Sequence, residues 1–289
     1  MKTLAFVQRN DARFAVGDFS PVLSVFSWHD LGSTVSPFLL LDHIGPGRLL
    51  PSTKRQGVND HPHRGFETVT LVYAGEIEHR DSTGSGGVIH AGDVQWMTAA
   101  AGVVHRELFS EAFTRLGGRF EMVQLWVNLP AADKMGRPGY QSLARDDIPV
   151  VGLASGAGTV RVIAGAFNGV PGPARTHTRM SVLDVHLLAG QQATFPTGDG
   201  DTALVYLRSG RLRFDTDDAL EAQGLAVLSQ QGADVTLSAL EDSRLLVLSG
   251  ARIDEPINGH GPFVMNSHEE ILQAYDDVKN GRLVPDASH

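Results

Sequence analysis

The chain has 289 residues, of which 42% are hydrophobic and 20% charged, as is usual for a soluble globular protein long enough for two domains. Its formal charge of −9 and its lack of any basic cluster disfavour direct nucleic-acid binding, which needs concentrated Lys and Arg. Without cysteine it can form no disulfide, thiolate metal site or cysteine nucleophile. The N-terminal stretch becomes polar too soon for a signal peptide, and no apolar run is long enough to span a membrane. We therefore expect a cytoplasmic protein without membrane contact.

Strand-like segments separated by turn residues follow one another through the first half of the chain. They share short length and a high content of β-branched and aromatic residues: Val22–Trp28, Phe38–Gly45, Thr68–Tyr73, Ile77–Arg80, Gly87–His90, Val94–Met97 and Phe120–Leu129. Glycine-containing turns recur between them. This pattern predicts an all-β sandwich or barrel rather than alternating βαβ units.

Two pairs of potential metal ligands lie on further strand-like sequence, about forty residues apart. His61 and His63 form the first pair, and His105 and Glu107 form the second. Residues two apart on a strand point to the same face, so adjacent strands would bring three imidazoles and a carboxylate together. This set of nitrogen and oxygen donors suits iron, manganese, nickel, copper or zinc, and non-haem Fe(II) best.

The residues alone leave part of this assignment open. Glu67 has the same strand parity as a histidine ligand, so spacing cannot decide whether it or Glu107 supplies the carboxylate. Other histidines have no such partner and are interpreted as ordinary polar residues: His29, His79, His90, His177, His186, His260 and His268.

The second half of the chain repeats a feature of the first. The segment 71–78 and the segment 204–213 both read as strand, glycine-containing turn and strand. Ten residues before each stand His61 and Thr194, respectively, and no paired histidine follows in the second half. We therefore expect two like barrels, one metal-binding over 1–133 and one without metal over 148–289, joined by a linker over 134–147.

The end of the chain has the pattern of a short helix, at about 267–280. Ser267 and Glu270 form a capping-box pattern that predicts its start. One face of the predicted helix carries Ile271, Leu272, Tyr275 and Val278, which we expect to be buried, so that Leu272→Asp would lower the melting temperature.

Several stretches resemble the pirins, a two-barrel family of the cupin superfamily. The similarity is carried by His61-Pro62-His63-Arg64-Gly65-Phe66-Glu67-Thr68-Val69-Thr70, Glu78-His79-Arg80-Asp81-Ser82, Gly92-Asp93-Val94-Gln95-Trp96-Met97, Gln124-Leu125-Trp126-Val127-Asn128-Leu129-Pro130 and Gly261-Pro262-Phe263-Val264-Met265-Asn266. The resemblance implies a bicupin, with two cupin-type β-barrels in tandem and a short C-terminal helix. It also implies iron in the N-terminal barrel, held by His61, His63, His105 and Glu107 rather than Glu67.

The resemblance also implies an activity. Pirins are similar to quercetinases, so we expect a metal-dependent dioxygenase that opens the heterocyclic ring of a flavonol-like substrate with O2, with Glu107 as the base for its hydroxyl proton. One alternative is an iron-dependent, redox-sensing binding module that acts on a protein partner, a transcription factor or metabolic enzyme, without turnover. Another is a structural metal site with a fully satisfied ligand shell.

Overall fold

The computed structural model describes residues 1–215 and 218–284, and strands dominate it. The strands up to residue 143 are β1 (Leu4–Gln8), β2 (Phe14–Val16), β3 (Phe19–Ser27), β4 (Phe38–Leu49), β5 (Gly57–His63), β6 (Phe66–Ala74), β7 (Ile77–Asp81), β8 (Gly86–Ile89), β9 (Val94–Thr98), β10 (Val103–Phe109), β11 (Gly118–Asn128) and β12 (Gly139–Leu143). The later strands are β13 (Val150–Gly152), β14 (Gly158–Ala164), β15 (Ala166–Phe167), β16 (Val170–Pro171), β17 (Met180–Leu187), β18 (Gln192–Pro196), β19 (Thr202–Ser209), β20 (Arg211–Arg213), β21 (Ala219–Glu221), β22 (Leu225–Leu228), β23 (Asp234–Ala239), β24 (Ser243–Gly250), β25 (Asn258–His260) and β26 (Phe263–Met265).

The helices are short. The α-helices are α1 (Trp28–Leu31), α2 (Glu111–Leu116), α3 (Ala131–Lys134) and α4 (His268–Lys279), and the 3-10 helices are Gly32–Val35, Arg145–Asp147 and Ala154–Gly156. Among the described residues, no helix is long and apolar enough to cross a membrane.

One compact unit contains residues 11–33, 38–145 and 253–284 of the described chain. Its seven-stranded antiparallel sheet has the order β12-β9-β6-β11-β4-β3-β2, and its four-stranded sheet has the order β5-β10-β7-β8. A cluster of buried aromatic rings that includes Phe19, Phe109 and Phe120 belongs to its core.

The other unit contains residues 1–10, 34–37, 146–215 and 218–252. Its seven-stranded sheet has the order β1-β22-β19-β24-β17-β14-β13, and its four-stranded sheet has the order β18-β23-β20-β21. The two sheets enclose a core of buried aliphatic and aromatic side chains, among them Val185, Phe195, Val205 and Leu237. The predicted all-β fold of two like barrels with a short C-terminal helix is confirmed.

The unit boundaries differ from the sequence-based ones at both ends of the chain. β1 pairs with β22, so the first ten residues belong to the second barrel rather than to the predicted 1–133 domain. The segment from Ile253 onward, including α4, belongs to the first barrel rather than to the predicted 148–289 domain. Contacts between residues far apart in sequence decide both assignments, such as the pairing of β1 with β22 and the hydrogen bond between His63 and Pro262. Local sequence composition does not indicate such contacts.

The predicted linker over 134–147 is wrong for the same physical reason. β12 lies within it and pairs with β9 of the first barrel. Lys134 is only 1% exposed, and its Nζ donates hydrogen bonds to the Gly65 carbonyl at 2.6 Å and the Val264 carbonyl at 2.8 Å. Burial lowers the pKa of Lys134 to about 7. The polar, proline-containing sequence therefore forms part of the barrel.

The terminal helix begins with the predicted capping box, in which Ser267 and Glu270 satisfy each other's backbone groups. Its buried face differs from the predicted one, because Ile271 and Ala274 are buried whereas Leu272, Tyr275 and Val278 are 56%, 40% and 41% exposed. Ile271 packs in a small core with Phe263, Met265, Ala274 and Leu283. The predicted burial of Leu272 is wrong, since the partners that define the inner face come from sequence outside the helix.

Neighbouring residues of this helix allow a direct stability test. We expect Ile271→Ala to lower the free energy of unfolding by about 2–5 kcal/mol, because it removes a buried side chain and leaves a cavity. Leu272→Ala should change it by no more than about 0.5 kcal/mol. Denaturant titration of both variants measures this difference, and equal effects would contradict the packing of the helix on this face.

Candidate metal centre

The four predicted ligands lie on β5 and β10, which are antiparallel neighbours. His61 lies opposite His105, and His63 lies opposite Val103. The register shifts between His105 and Glu107, so that Glu107 lies opposite Val58. Potential ligand nitrogens of His61, His63 and His105 all lie within 4.8 Å of one another, which is close enough to hold one metal ion. The predicted convergence of the three imidazoles is therefore present.

Backbone carbonyl groups orient two of these rings. The Nδ1 of His61 is 2.8 Å from the Asn59 carbonyl oxygen, and the Nδ1 of His63 is 3.1 Å from the Pro262 carbonyl oxygen. A carbonyl can only accept, so each Nδ1 carries the proton and donates. The Nε2 of each ring then presents its lone pair, as in protein metal sites where the second ring nitrogen is held by an outer hydrogen bond.

His105 is oriented by a relay of two further side chains. Its Nδ1 is 3.3 Å from the Nδ1 of His79, and the Nε2 of His79 is 3.1 Å from Oδ2 of Asp81. Because the carboxylate accepts from Nε2 of His79, Nδ1 of a neutral His79 accepts from Nδ1 of His105. The proton of His105 is then on Nδ1, and its buried Nε2 finds no hydrogen-bond partner within the described part of the chain. An orphaned lone pair beside two other imidazoles fits a bound metal cation.

Burial also favours the neutral, ligating form of these rings. Desolvation lowers the pKa of His63 to about 3, and the nearby His61 contributes to the same shift. Desolvation likewise holds the pKa of His105 well below its usual range, helped by His63, His61 and His79. At neutral pH these two rings are therefore uncharged, with one proton each. Neutral imidazoles with a carboxylate suit a divalent transition metal.

The two candidate carboxylates lie in different surroundings. Glu107 is 6% exposed, its Oε1 accepts a hydrogen bond from Thr70 Oγ1 at 3.2 Å, and a carboxylate oxygen lies within 4.8 Å of ring nitrogens of both His79 and His105. Glu67 lies on β6 in the other sheet and accepts from Thr98 Oγ1 at 2.7 Å. It belongs to neither of the two ligand clusters found among the described residues.

His79 is the residue that the sequence interpretation missed. It lies on β7 opposite Glu107, is fully buried, and stacks on Tyr140 with ring centroids 5.2 Å apart. The signal was available, because His79 and Asp81 form a third pair two residues apart on a strand.

Asp81→Asn should test the relay. Oδ1 of Asp81 accepts hydrogen bonds from the backbone and hydroxyl of Thr83. In the variant, the amide oxygen of the asparagine should accept the same bonds, which leaves its NH2 group facing His79. His79 would then have to accept at Nε2 and carry its proton on Nδ1, which would move the proton of His105 to Nε2. We expect metal affinity to fall about 10- to 100-fold, measured by chelator competition.

Asp93, which like Asp81 accepts hydrogen bonds from backbone N–H groups, provides the control for Asp81→Asn. Asp93 accepts hydrogen bonds from the backbone nitrogens of His90 and Arg145, and it belongs to neither ligand cluster found among the described residues. Asp93→Asn should leave metal affinity unchanged, and an equal loss in both variants would contradict a specific role for the relay.

A cavity of about 160 Å³ adjoins the cluster, and its lining includes His61, His63 and Glu107. Most of the remaining lining is apolar, as with Phe19 and Trp126. A small organic molecule entering this cavity would lie directly against the proposed ligands.

The matching position of the second barrel has a different chemistry. Thr194 on β18 lies opposite Thr236 on β23, as His61 lies opposite His105 in the first barrel. The two hydroxyl oxygens are 2.8 Å apart and form a hydrogen bond. Neutral hydroxyl groups that are hydrogen-bonded to each other are much weaker ligands for a transition metal than paired imidazoles are. A metal-free second barrel therefore stays our prediction.

Comparison with known proteins gives consistent matches over most of the chain. Residues 20–127 match the family described as Pirin, and residues 182–284 match the Pirin C-terminal cupin domain. A Pseudomonas aeruginosa protein provisionally named as a quercetin 2,3-dioxygenase is 52% identical over 284 residues, which cover 98% of this chain and 99% of that protein. A pirin-like protein of Caulobacter vibrioides is 42% identical over 86% of this chain and 87% of its own length. The crystal structure of a quercetin 2,3-dioxygenase from Acinetobacter baumannii superposes with a TM-score of 0.96 at 46% identity, covering 98% of both chains.

Proposed function

The chain belongs to the pirin family of two-barrel cupins, and from this membership we propose that it is a metal-dependent dioxygenase that opens the heterocyclic ring of a flavonol-like substrate with O2. The observation that carries the proposal is the cluster of His61, His63 and His105 beside Glu107, open to an apolar cavity. The names of the similar Pseudomonas and Acinetobacter proteins support the same reaction.

His61, His63 and His105 would hold the metal through their Nε2 atoms, and Glu107 through its carboxylate. Fe(II) suits this donor set best, and manganese, nickel, copper and zinc accept the same donors. When bound, iron supplies the redox and spin chemistry with dioxygen that a protein side chain cannot provide.

The residues of the chain would perform the remaining work. Three neutral imidazoles and one carboxylate would leave a divalent ion with a net charge of about +1, which favours an anionic substrate oxygen at the site. Glu107 is the base that accepts the proton of the substrate hydroxyl. Thr70 orients Oε1 of Glu107 by donating a hydrogen bond to it. The apolar cavity walls, including Phe19 and Trp126, would exclude water and pack against an aromatic ring.

A pair of flavonols tests this proposal. Iron-loaded protein should cleave quercetin in air, and it should leave the 3-O-methyl analogue intact, because a methylated oxygen can neither ionise nor reach the metal as an anion. Loss of flavonol absorbance together with oxygen uptake measures the reaction. Activity should stop without oxygen or after chelation, and the analogue should still compete as an inhibitor if it fits the cavity.

Intact quercetin in air, with the iron content verified, would contradict the enzyme proposal. The family's alternative, an iron-dependent binding module that acts on a protein partner, would then account better for the same residues.

A further inference from the structure

Asp42 is a cavity-lining carboxylate that is neither a predicted metal ligand nor a participant in the proposed reaction. It lies on β4 between Leu40 and Ile44, and alternate residues of a strand share one face. All three line the cavity whose wall also contains His63 and Glu107. Asp42 therefore faces the same enclosed space as the candidate metal ligands.

The surroundings of Asp42 leave one of its oxygens without a protein partner. The hydroxyl of Ser24 donates a hydrogen bond to the carboxyl group. Oδ1 is shielded from solvent and accepts no hydrogen bond from the described residues, and no lysine or arginine lines the cavity. Burial raises the pKa of Asp42 to about 6. Since an unpaired buried oxygen destabilises the fold, a carboxyl that served only the fold would be expected to have both oxygens bonded.

The size of the cavity limits what can reach Asp42. Its volume of about 160 Å³ is close to that of an apolar cavity of roughly 150 Å³ that accommodates a single benzene molecule. One aromatic ring would therefore fill the space between Asp42 and the histidine cluster. The other rings of a polycyclic substrate would have to lie toward the opening.

We propose that Asp42 accepts a hydrogen bond from a hydroxyl group on the ring in the cavity, while a second oxygen of the same ligand lies at the cluster of His61, His63, His105 and Glu107. The inference rests on the proposed function for the oxygen at the metal and adds Asp42 as a residue that determines specificity. The ligand class is an aromatic or enolic ring with two separated hydroxyl groups, of which one ionises. A cationic ligand is disfavoured, because it would also lie beside the positive metal centre.

Binding without turnover tests the assignment. Zinc-loaded protein, which has no redox chemistry, is titrated calorimetrically with phenol, 1,3-dihydroxybenzene and 1,4-dihydroxybenzene. The hydroxyls of these two isomers are too far apart to chelate one ion. At least one of them should bind the wild type about 10- to 100-fold more tightly than phenol does, as expected for a hydrogen bond to a charged acceptor.

Variants of Asp42 and Gln124 provide the comparison. Asp42→Leu should remove the preference for the second hydroxyl while leaving phenol binding in place. Asp42→Asn, which keeps the shape with a neutral acceptor, should retain a weaker preference and serves if the leucine variant does not fold. Gln124→Leu removes a polar lining side chain that is not a candidate metal ligand, and it should leave the preference intact.

The outcomes separate this inference from the function on which it rests. If phenol binds but neither dihydroxy isomer is preferred, or if the preference persists in Asp42→Leu, the role of Asp42 is overturned and the proposed function is not. If none of the three compounds binds the zinc-loaded wild type, an aromatic oxygen ligand at this site is itself refuted, and both proposals fall.

Discussion

Replacing both His61 and His63 with alanine should reduce the bound metal from about one ion per chain to almost none, because it removes two of the three clustered imidazoles. Metal analysis of protein purified under identical conditions measures the effect. The two rings form side-chain hydrogen bonds to the carbonyls of Asn59 and Pro262, whereas β5 pairs with β10 through its backbone. Loss of the rings should therefore leave the sheet pairing of β5 intact. Circular dichroism should therefore remain that of a β-rich fold.

The matched control is a pair of exposed histidines. His90→Ala plus His177→Ala removes the same number of imidazoles from positions outside the two clusters. That variant should keep its full metal content. Unchanged metal in the His61/His63 variant would refute the site, and loss in both variants would point to adventitious binding by surface histidines.

Glu107→Gln should abolish flavonol cleavage and weaken metal retention, whereas Glu67→Gln should have the smaller effect on both. A glutamine side chain ends in a neutral amide, which binds a divalent cation weakly and cannot take the substrate proton. Glu67 instead accepts a hydrogen bond from Thr98 on the neighbouring strand, an interaction that a glutamine oxygen can also make. Side-by-side metal titration and turnover assays compare the two variants.

The reverse order of effects would assign the carboxylate ligand to Glu67, as in the more general cupin pattern. Equal and small effects on metal retention would mean that the three imidazoles suffice to hold the ion. Turnover would then still distinguish the base, because only the carboxylate that takes the substrate proton should be needed for cleavage.

Strand periodicity was enough to predict the central feature of the site. His61, His63 and His105 converge because residues two apart share a face and because β5 pairs with β10. The repeated strand, turn and strand pattern also predicted two like barrels, which the order of strands in the two pairs of sheets confirms. These features depend on local pattern and on one pairing of strands.

The parts that could not be predicted depend on contacts distant in sequence. Nothing near His63 indicates that the Pro262 carbonyl would orient its ring, and nothing within α4 indicates that Ile271 rather than Leu272 faces the core. The pairing of β1 with β22 likewise joins segments more than two hundred residues apart. Such contacts are decided by the competition among all possible packings, which a single sequence does not display.

The attachment of the late segment to the first barrel has a consequence for biosynthesis. The hydrogen bond between His63 and Pro262 spans 199 residues, and the salt bridge between Arg64 and Asp277 spans 213. Gly65 allows this close approach, because a Cβ there would lie 2.0 Å from the Val264 carbonyl oxygen. The ribosome must therefore release Pro262 before the surroundings of His63 are complete, and Asp277 before those of Arg64 are, long after it has released the candidate ligands. A nascent chain stalled before Pro262 would therefore present the three clustered imidazoles without the carbonyl group that orients His63.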